Sequence, residues 1–393
     1  MTENRKRPKR RLALIVSGGL LGLCLLILAA TAVINQTMPT HSAVLDQLSA
    51  AEKARVTEFF HLRQTVGDAV WPGWGQADNP VVVYNEATAF LIGYPDPPDG
   101  WLTVPDGSAQ GGPWRLTPDE MPDGTPYYRQ PLPASGETPQ AFTVQIGPRW
   151  AASLTTYEWM QIELPNQLRQ DLPPGIRQVF PYFLVSRVFV DSSDWYISLI
   201  AHEAFHAYQG TIAPERVTAA EMALRQAGRA YPWENEGLQT AWQEELDLLI
   251  TAVRTEDAAA TAVLAQQFLA QRQQRRQNAN LSPAEIDYER QREWLEGLAK
   301  YAELDIWRQA ANTAVYQPAA ALSADPDFKQ YTTFSDRWQQ EIAQIGRTGE
   351  EDGRFYYTGL AQAVLLDRLW PEWKAQALDQ DAFLEDLLNQ AIK

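Results

Sequence analysis

The sequence has 393 residues, of which 45% are hydrophobic and 21% are charged, so a wholly disordered chain and a collagen-like repeat are excluded. Its formal net charge of −16 argues against a general nucleic-acid binder, which would carry a basic face, and we expect no nucleic-acid partner. The single Cys excludes an internal disulfide, a four-cysteine zinc finger and a thiolate-held iron–sulfur cluster.

The N-terminal region predicts a membrane anchor. Residues 1–11 form a basic tail with a local net charge of +5, which leaves −21 for the rest of the chain. Residues 12–34 carry no charge, and a helix needs about 20 such residues to span a bilayer. Because basic flanks stay cytoplasmic, we expect the tail inside and the remainder, which lacks Cys, outside. The alternative is a cleaved signal peptide, since Ala30-Thr31-Ala32 is an A-x-A site.

Downstream of the span, the composition predicts an α+β fold in which strands precede helices. A juxtamembrane helical segment at 35–70 contains a predicted helix at 44–66. The S-x-x-E pattern of Ser49 and Glu52 lies within that helix and is typical of a helix start. Two shorter helices are therefore the alternative interpretation of the same residues.

A strand-rich lobe is predicted at 71–190 and a helical catalytic lobe at 191–393. β-branched and aromatic residues predict the strands, and a stretch rich in proline and glycine predicts turns between them. The predicted strands or hairpins lie at 81–94, 126–131, 141–162 and 179–190. After Asp191, Ala, Gln, Glu and Leu recur at helical spacing, and no linker precedes them, so we expect one composite domain.

The helical lobe begins with a predicted helix at 194–209. Ser193 or Asp194 can cap its start, and Gly210 suits a left-handed position after its end. Apolar residues at 199–201 indicate that at least one side of the helix is buried. The side chains that follow residue 201 on this helix therefore lie next to a buried face.

The helix carries the pattern H-E-x-x-H at His202, Glu203 and His206. Residues four apart on a helix differ by about 40° in direction, so the two imidazoles face the same way and can bind one zinc ion. Glu203 is rotated by about 100° from His202 and flanks the metal. From there it can act as the general base that takes a proton from an attacking water.

A catalytic zinc site needs a third protein ligand. The remaining histidines, His41 and His61, lie far upstream near the anchor, and the exported part has no Cys. By elimination, we expect a carboxylate. Two glutamates are candidates. Glu296 lies in a helix with clear capping signals, and Glu236 lies in an acidic stretch that is also typical of a solvated helix.

The helix around Glu296 has clear sequence signals. Ser282 is a predicted N-cap, Pro283 fits the first helical position, and Glu285 completes a capping box. Gly297 in the helix interior costs about 1 kcal/mol relative to Ala, so a close approach by another helix is expected there.

Two segments together resemble the gluzincin class of zinc metallopeptidases. These are HEAFHAYQ and WLEGLAKYAE, and the second is similar to the aminopeptidase-N-like ligand helix N-E-G-x-A-x-Y-x-E. It matches at Glu296, Gly297, Ala299, Tyr301 and Glu303. Leu295 stands where that family has Asn, Lys300 breaks the thermolysin-type E-x-x-x-D pattern, and no G-x-M-E-N segment is present. The resemblance implies Zn²⁺ as cofactor, Glu296 as third ligand and a thermolysin-like arrangement of the two lobes.

A zinc peptidase also needs a donor for the negative charge that develops on the carbonyl oxygen. Arg354, Tyr356 and Tyr357 lie at the start of an apolar helix, and Tyr357 is the predicted donor. We therefore expect a membrane-anchored extracytoplasmic zinc peptidase that acts on a peptide or protein substrate. The alternative is a non-catalytic exported binding domain with a zinc site, although zinc ligation alone would not require Glu203.

Overall fold

The computed structural model describes residues 7–139, 144–347 and 352–393. The chain divides into two compact units, Met1–Ala43 with Thr156–Asp191, and Val44–Thr155 with Ser192–Lys393. The second unit contains both the sheet and the helix that bears the H-E-x-x-H motif. The predicted α+β class is therefore confirmed.

The helices of the described residues are α1 (Arg7–Thr37), α2 (Ala50–Val70), α3 (Tyr157–Asp171), α4 (Pro174–Arg177), α5 (Tyr182–Phe189), α6 (Ser193–Ile212), α7 (Pro214–Ala223), α8 (Glu236–Arg254), α9 (Ala258–Asn278), α10 (Pro283–Arg292), α11 (Leu298–Ala310), α12 (Phe334–Ile345), α13 (Gly353–Leu369) and α14 (Leu384–Ala391). The strands are β1 (Val81–Tyr84), β2 (Thr88–Ile92), β3 (Trp101–Thr103), β4 (Ser108–Gln110), β5 (Arg115–Glu120), β6 (Pro126–Pro131), β7 (Val144–Ile146) and β8 (Arg149–Thr155). The described residues also form two π-helical turns: Leu224–Gly228 extends the end of α7, and Glu293–Gly297 joins α10 to α11.

The first unit consists of α1, α3, α4 and α5. Within α1, Gly19–Thr37 is long and apolar enough to cross a membrane, and nearly all of this stretch is exposed. At the end of α1 the Asn35 side-chain amide donates to the carbonyl oxygens of Gln178 and Phe180, at 3.0 and 2.8 Å. These bonds tie the end of the apolar helix to the segment that precedes α5.

One predicted strand region extends too far, and another is wrong. The region at 141–162 forms strands only as far as Thr155, and its residues 141–143 lie outside the described part. The Thr156 hydroxyl then accepts a hydrogen bond from Trp159 N and begins α3. The region at 179–190 is mainly the helix α5. The strand prediction failed because hydrophobic periodicity alone cannot distinguish a short buried strand from a short helix. The strand-rich lobe thus ends at Thr155 and not at 190.

The eight strands form one sheet in the order β4-β3-β7-β8-β1-β2-β6-β5. β1 and β2 form the antiparallel hairpin predicted at 81–94, and β6 coincides with the strand predicted at 126–131. β1 pairs with β8 in parallel, and all the other neighbouring pairs are antiparallel. One face buries a core of aliphatic and aromatic side chains that includes Val82, Leu91 and Val144.

Helix α2 is shorter at its start and longer at its end than the helix predicted at 44–66. The Ser49 hydroxyl accepts from Glu52 N, so the capping pattern marks the true beginning of a single helix at Ala50. The chain then breaks at Trp71. The rings of Trp71 and Trp74 pack on Phe205 of α6 at centroid distances of 5.0 and 5.4 Å, which joins α2 to the motif helix.

Candidate metal centre

Helix α6 presents the H-E-x-x-H motif from a buried position beside the sheet. Its N-cap is Ser192, whose hydroxyl accepts from Trp195 N, and not Ser193 or Asp194 as predicted. The prediction for Gly210 is also wrong, because the helix continues through it to Ile212. Any Cβ at position 210 would overlap the Trp150 ring on β8, so this glycine allows the helix to lie against the strand.

The outer nitrogen of each motif histidine is held by a hydrogen-bond acceptor. Nδ1 of His202 lies 3.1 Å from Oε2 of Glu303, and Nδ1 of His206 lies 3.0 Å from Oε1 of Gln209. The Gln209 amide donates to Trp294 O at 3.1 Å, which orients its carbonyl oxygen toward His206. With a proton on each Nδ1, both Nε2 atoms keep a lone pair for a metal ion.

Glu296 reaches the same point from a second helix. It lies in the π-helical turn Glu293–Gly297, between α10 and α11, and is fully buried. The predicted capping box of Ser282 and Glu285 is present at the start of α10. A Cβ at Gly297 would overlap the backbone of Gly359 in α13, so the predicted close helix approach is confirmed.

Three ligand atoms converge where α6 meets this turn. Nε2 of His202 lies 3.1 Å from Nε2 of His206, and Oε2 of Glu296 lies 3.5 Å and 3.3 Å from these nitrogens. The three side chains form a buried group that could hold a metal ion. Two imidazoles and a carboxylate are a donor set suited to zinc, copper, iron or nickel.

The charges around the group favour an ionised Glu296. Burial alone would raise its pKa, but Arg292 and the two histidines lower that pKa well below the ordinary value. Arg292 forms an ion pair with Glu296 at 2.8 Å and holds Asp352 on its other side. Burial lowers the pKa of His206, which favours the neutral imidazole that a metal requires.

His202 has the opposite tendency in the absence of a metal ion. Burial would lower its pKa, but hydrogen bonds to Glu296 and Glu303 outweigh that effect and raise the pKa to about 10. A metal ion that binds here must therefore displace a proton from the cluster.

Glu203 and Tyr356 border the cluster on its more exposed side. The Tyr356 ring stacks on His202 with a centroid distance of 5.8 Å and an interplanar angle of 7°. Glu203 interacts electrostatically with both His202 and Tyr356. Both side chains are half-buried, whereas His206 and Glu296 are fully enclosed. Among the described residues around the cluster, Glu203 and Tyr356 are thus less buried than the ligands His206 and Glu296.

The other predicted site residues lie elsewhere. Tyr357 faces Lys300 and Glu341, and burial raises its pKa to about 12. The guanidinium of Arg354 lies over the rings of two tryptophans. Glu236 is exposed at the first position of α8 and is not part of the convergent group. The structure therefore brings together His202, His206 and Glu296, and it places Tyr356 closer to them than the predicted Tyr357.

Sequence reasoning missed most of the groups that support the ligands. Glu303 was noted only as a position of a family pattern, yet it accepts from His202 and from Lys300, whose ammonium lies 2.8 Å from Oε1. Lys300 in turn lies 3.2 Å from Glu341 on α12. Glu303 lies seven residues after Glu296, and this spacing of two turns on one helix was the available signal.

The chain has no match among the known proteins with which it was compared. No family model matches the chain, and neither a curated protein nor a solved structure matches it. Any function must therefore be argued from the residues themselves.

Proposed function

We propose that this chain is a membrane-anchored zinc peptidase whose catalytic unit lies outside the cytoplasm. The observation that carries the proposal is the convergence of His202, His206 and Glu296 beside Glu203. The proposed ligands are those three residues, the proposed general base is Glu203, and the proposed substrate is a peptide or protein.

The spacing of the ligand atoms supports zinc as the metal. Ligands at about 2.0–2.1 Å from a tetrahedral zinc ion lie about 3.3–3.4 Å from one another. The three separations here are 3.1, 3.3 and 3.5 Å. Calcium and magnesium prefer oxygen ligands throughout, so two imidazoles argue against them. Three protein ligands, as opposed to four, are typical of catalytic zinc sites and leave a position for water or substrate.

Each residue around the cluster has a distinct proposed task. When bound, a zinc ion polarises a carbonyl oxygen and lowers the pKa of water. Glu203 accepts a proton from the attacking water and then donates it to the leaving amine. Tyr356 stacks on His202 and can donate its hydroxyl proton to the charge that develops on the carbonyl oxygen. Glu303 and Gln209 keep the imidazoles in the required tautomer.

The orientation follows from the charge distribution. The basic residues of 1–11 precede the apolar stretch Gly19–Thr37 of α1, and such residues remain on the cytoplasmic side. The strongly acidic remainder, which contains the cluster, is therefore assigned to the opposite side as a single-pass anchored domain.

The test uses the full-length chain in detergent micelles with a peptide library, and cleavage is followed by mass spectrometry. We expect metal-dependent cleavage by the wild type. Glu203→Gln should retain the metal and lose about 10²–10⁴-fold in rate, because it removes the general base.

Glu236→Gln is the matched control, since it changes an exposed glutamate at the start of α8 and should leave the rate unchanged. A wild-type chain that binds zinc and cleaves nothing would favour the non-catalytic binding domain. Full activity in Glu203→Gln would contradict the assigned mechanism.

A further inference from the structure

A second cavity, separate from the metal cluster, lies between α2 and the β1–β2 hairpin. Its volume is about 550 Å³. Part of its wall is apolar, from Phe60, Ile92, Tyr94 and Met121, and its lining includes one basic residue among those described, Arg63 of α2. A cavity of this size is within the range of small-molecule sites, about 300–1,000 Å³.

Arg63 is unusually poor in partners for a buried guanidinium. The residue is only 4% exposed. Its Nη1 makes one long contact, 3.5 Å, with the Asn79 carbonyl oxygen, and its Nε has no hydrogen-bond partner within the described residues. The guanidinium otherwise lies over the rings of Phe59 and Phe60, with 5.5 Å to each centroid.

Two other buried arginines of the same unit, Arg55 and Arg275, face carboxylates, and the buried Arg216 donates to the backbone carbonyl oxygens of Ala377, Asp379 and Ala382. Arg55 lies 2.8 Å from Asp325, and Arg275 lies 2.6 Å from both Glu245 and Glu289. A buried charge without such a partner is costly, and a guanidinium cannot escape the cost by losing its proton in the ordinary pH range. Burial lowers the pKa of Arg63 to about 10, and the negative charge of Asp78 offsets only part of this effect.

We propose that this cavity binds a small monocarboxylate with an apolar body, through Arg63. A carboxylate can occupy the guanidinium fork with two parallel hydrogen bonds. It places a negative charge in direct contact with Arg63, whereas Asp78 acts on Arg63 only electrostatically and pairs with Arg149. The apolar wall accommodates the rest of the ligand.

Two acidic residues at the cavity define the charge of the ligand. Asp78 is largely exposed and pairs with Arg149 at 2.9 Å, and the Asp123 carboxylate accepts from Thr125. Their negative charges oppose a highly charged anion, so a carboxylate with one charge is favoured over inorganic phosphate.

The experiment measures binding by calorimetry to the full-length chain in micelles, with a chelator present so that no carboxylate binds through a metal ion. The probes are N-acetyl-leucine, straight-chain carboxylates from butanoate to octanoate, N-acetyl-leucinamide and inorganic phosphate. We expect saturable binding of at least one carboxylate, and at least tenfold weaker binding of the neutral amide and of phosphate. Equal binding of acid and amide, or no binding of any carboxylate, overturns the proposal.

Variants assign the binding to this cavity. Arg63→Met should abolish it and should leave the melting temperature of the ligand-free protein unchanged or higher, because an uncompensated buried charge is removed. Gln64→Glu adds a negative charge at an exposed position of the cavity and should weaken carboxylate binding several-fold. Thr65→Glu places the same charge at the next exposed position, outside the cavity lining, and should have a smaller effect. Undiminished binding in both Arg63→Met and Gln64→Glu overturns the proposal.

Discussion

Two clusters of buried ionisable residues lie next to each other in the helical half, and they differ in how their charges are compensated. In the metal cluster, Glu296 meets two imidazoles whose Nε2 atoms face one point. In the second cluster, guanidinium groups form ion pairs with carboxylates, as Arg272 does with Glu293 at 2.5 Å. We call this cluster the arginine–glutamate network, and it consists of Arg272, Arg275, Arg276, Glu245, Glu289, Glu293 and Glu385. The network compensates its charges internally, whereas the metal cluster presents lone pairs that only a proton or a metal ion can satisfy.

The boundary between the two clusters is the π-helical turn Glu293–Gly297. Glu293 at its start faces Arg272 and the Gln362 amide, and Glu296 faces the histidines. π-helical turns inside α-helices often occur at functional sites. One turn thus carries a charge-compensated carboxylate, Glu293, and a candidate metal ligand, Glu296, and we expect stability and metal binding to respond separately to mutation.

The largest effect is expected in the network. Arg275→Met removes the shared partner of Glu245 and Glu289 and leaves each carboxylate with fewer cations. Breaking a buried ion pair costs about 3–5 kcal/mol of unfolding free energy, and we expect a loss in that range from chemical denaturation. Metal stoichiometry of the folded fraction should stay unchanged. A metal-free but fully stable variant would show that the two clusters are not separable as described.

The network should also give the protein an acid-sensitive stability. Burial would raise the pKa of Glu385, but Arg272 and Arg276 outweigh burial and lower this pKa from 4.5 to about 2. Its stabilising contribution is therefore complete above pH 4.5 and is lost as the pH falls toward 2. The shift corresponds to about 3 kcal/mol.

Unfolding measured between pH 5 and pH 2 checks this prediction. Glu385→Gln should flatten the decline in stability over that interval. If stability falls as steeply with pH in this variant as in the wild type, Glu385 does not cause the acid sensitivity.

A smaller effect is expected from the support of the metal cluster. Glu303→Gln keeps the shape of the side chain but removes the charge that orients His202, so metal affinity should fall about 10–100-fold. Competition with a chromophoric chelator measures this change. Glu341→Gln is the control, because Glu341 contacts Lys300 at 3.2 Å and changes the support one step farther out. Equal losses in both variants would contradict the specific role of Glu303.

The sequence predicted the parts of the fold that depend on local signals. The capping box at Ser282, the hairpin at 81–94 and the strand at 126–131 are all present. The segment predicted as a strand at 179–190 is mainly the helix α5. The prediction failed because a short apolar run has no periodicity that distinguishes a strand from a helix. Gly210 was assigned to a helix end from its residue type, whereas its actual reason is the Trp150 ring on a distant strand.

The candidate site was predictable where ligands share one helix or a known pattern. His202 and His206 follow from their spacing, and Glu296 followed from the resemblance of its helix. The choice between Tyr356 and Tyr357 depends on the rotation of α13 against α6, which the sequence does not encode locally. The same holds for the pairing of Arg292 with Asp352 and of Lys300 with Glu341, because these partners lie far along the chain.

The most direct test of the central claim is the metal content of the purified full-length chain, measured by elemental mass spectrometry. We predict about one zinc per chain in the wild type and in Glu236→Ala, and none in Glu296→Ala, with the folded state of each variant verified by circular dichroism. A folded Glu296→Ala protein that keeps its zinc, or a wild-type protein that cannot be loaded with zinc, would contradict the account.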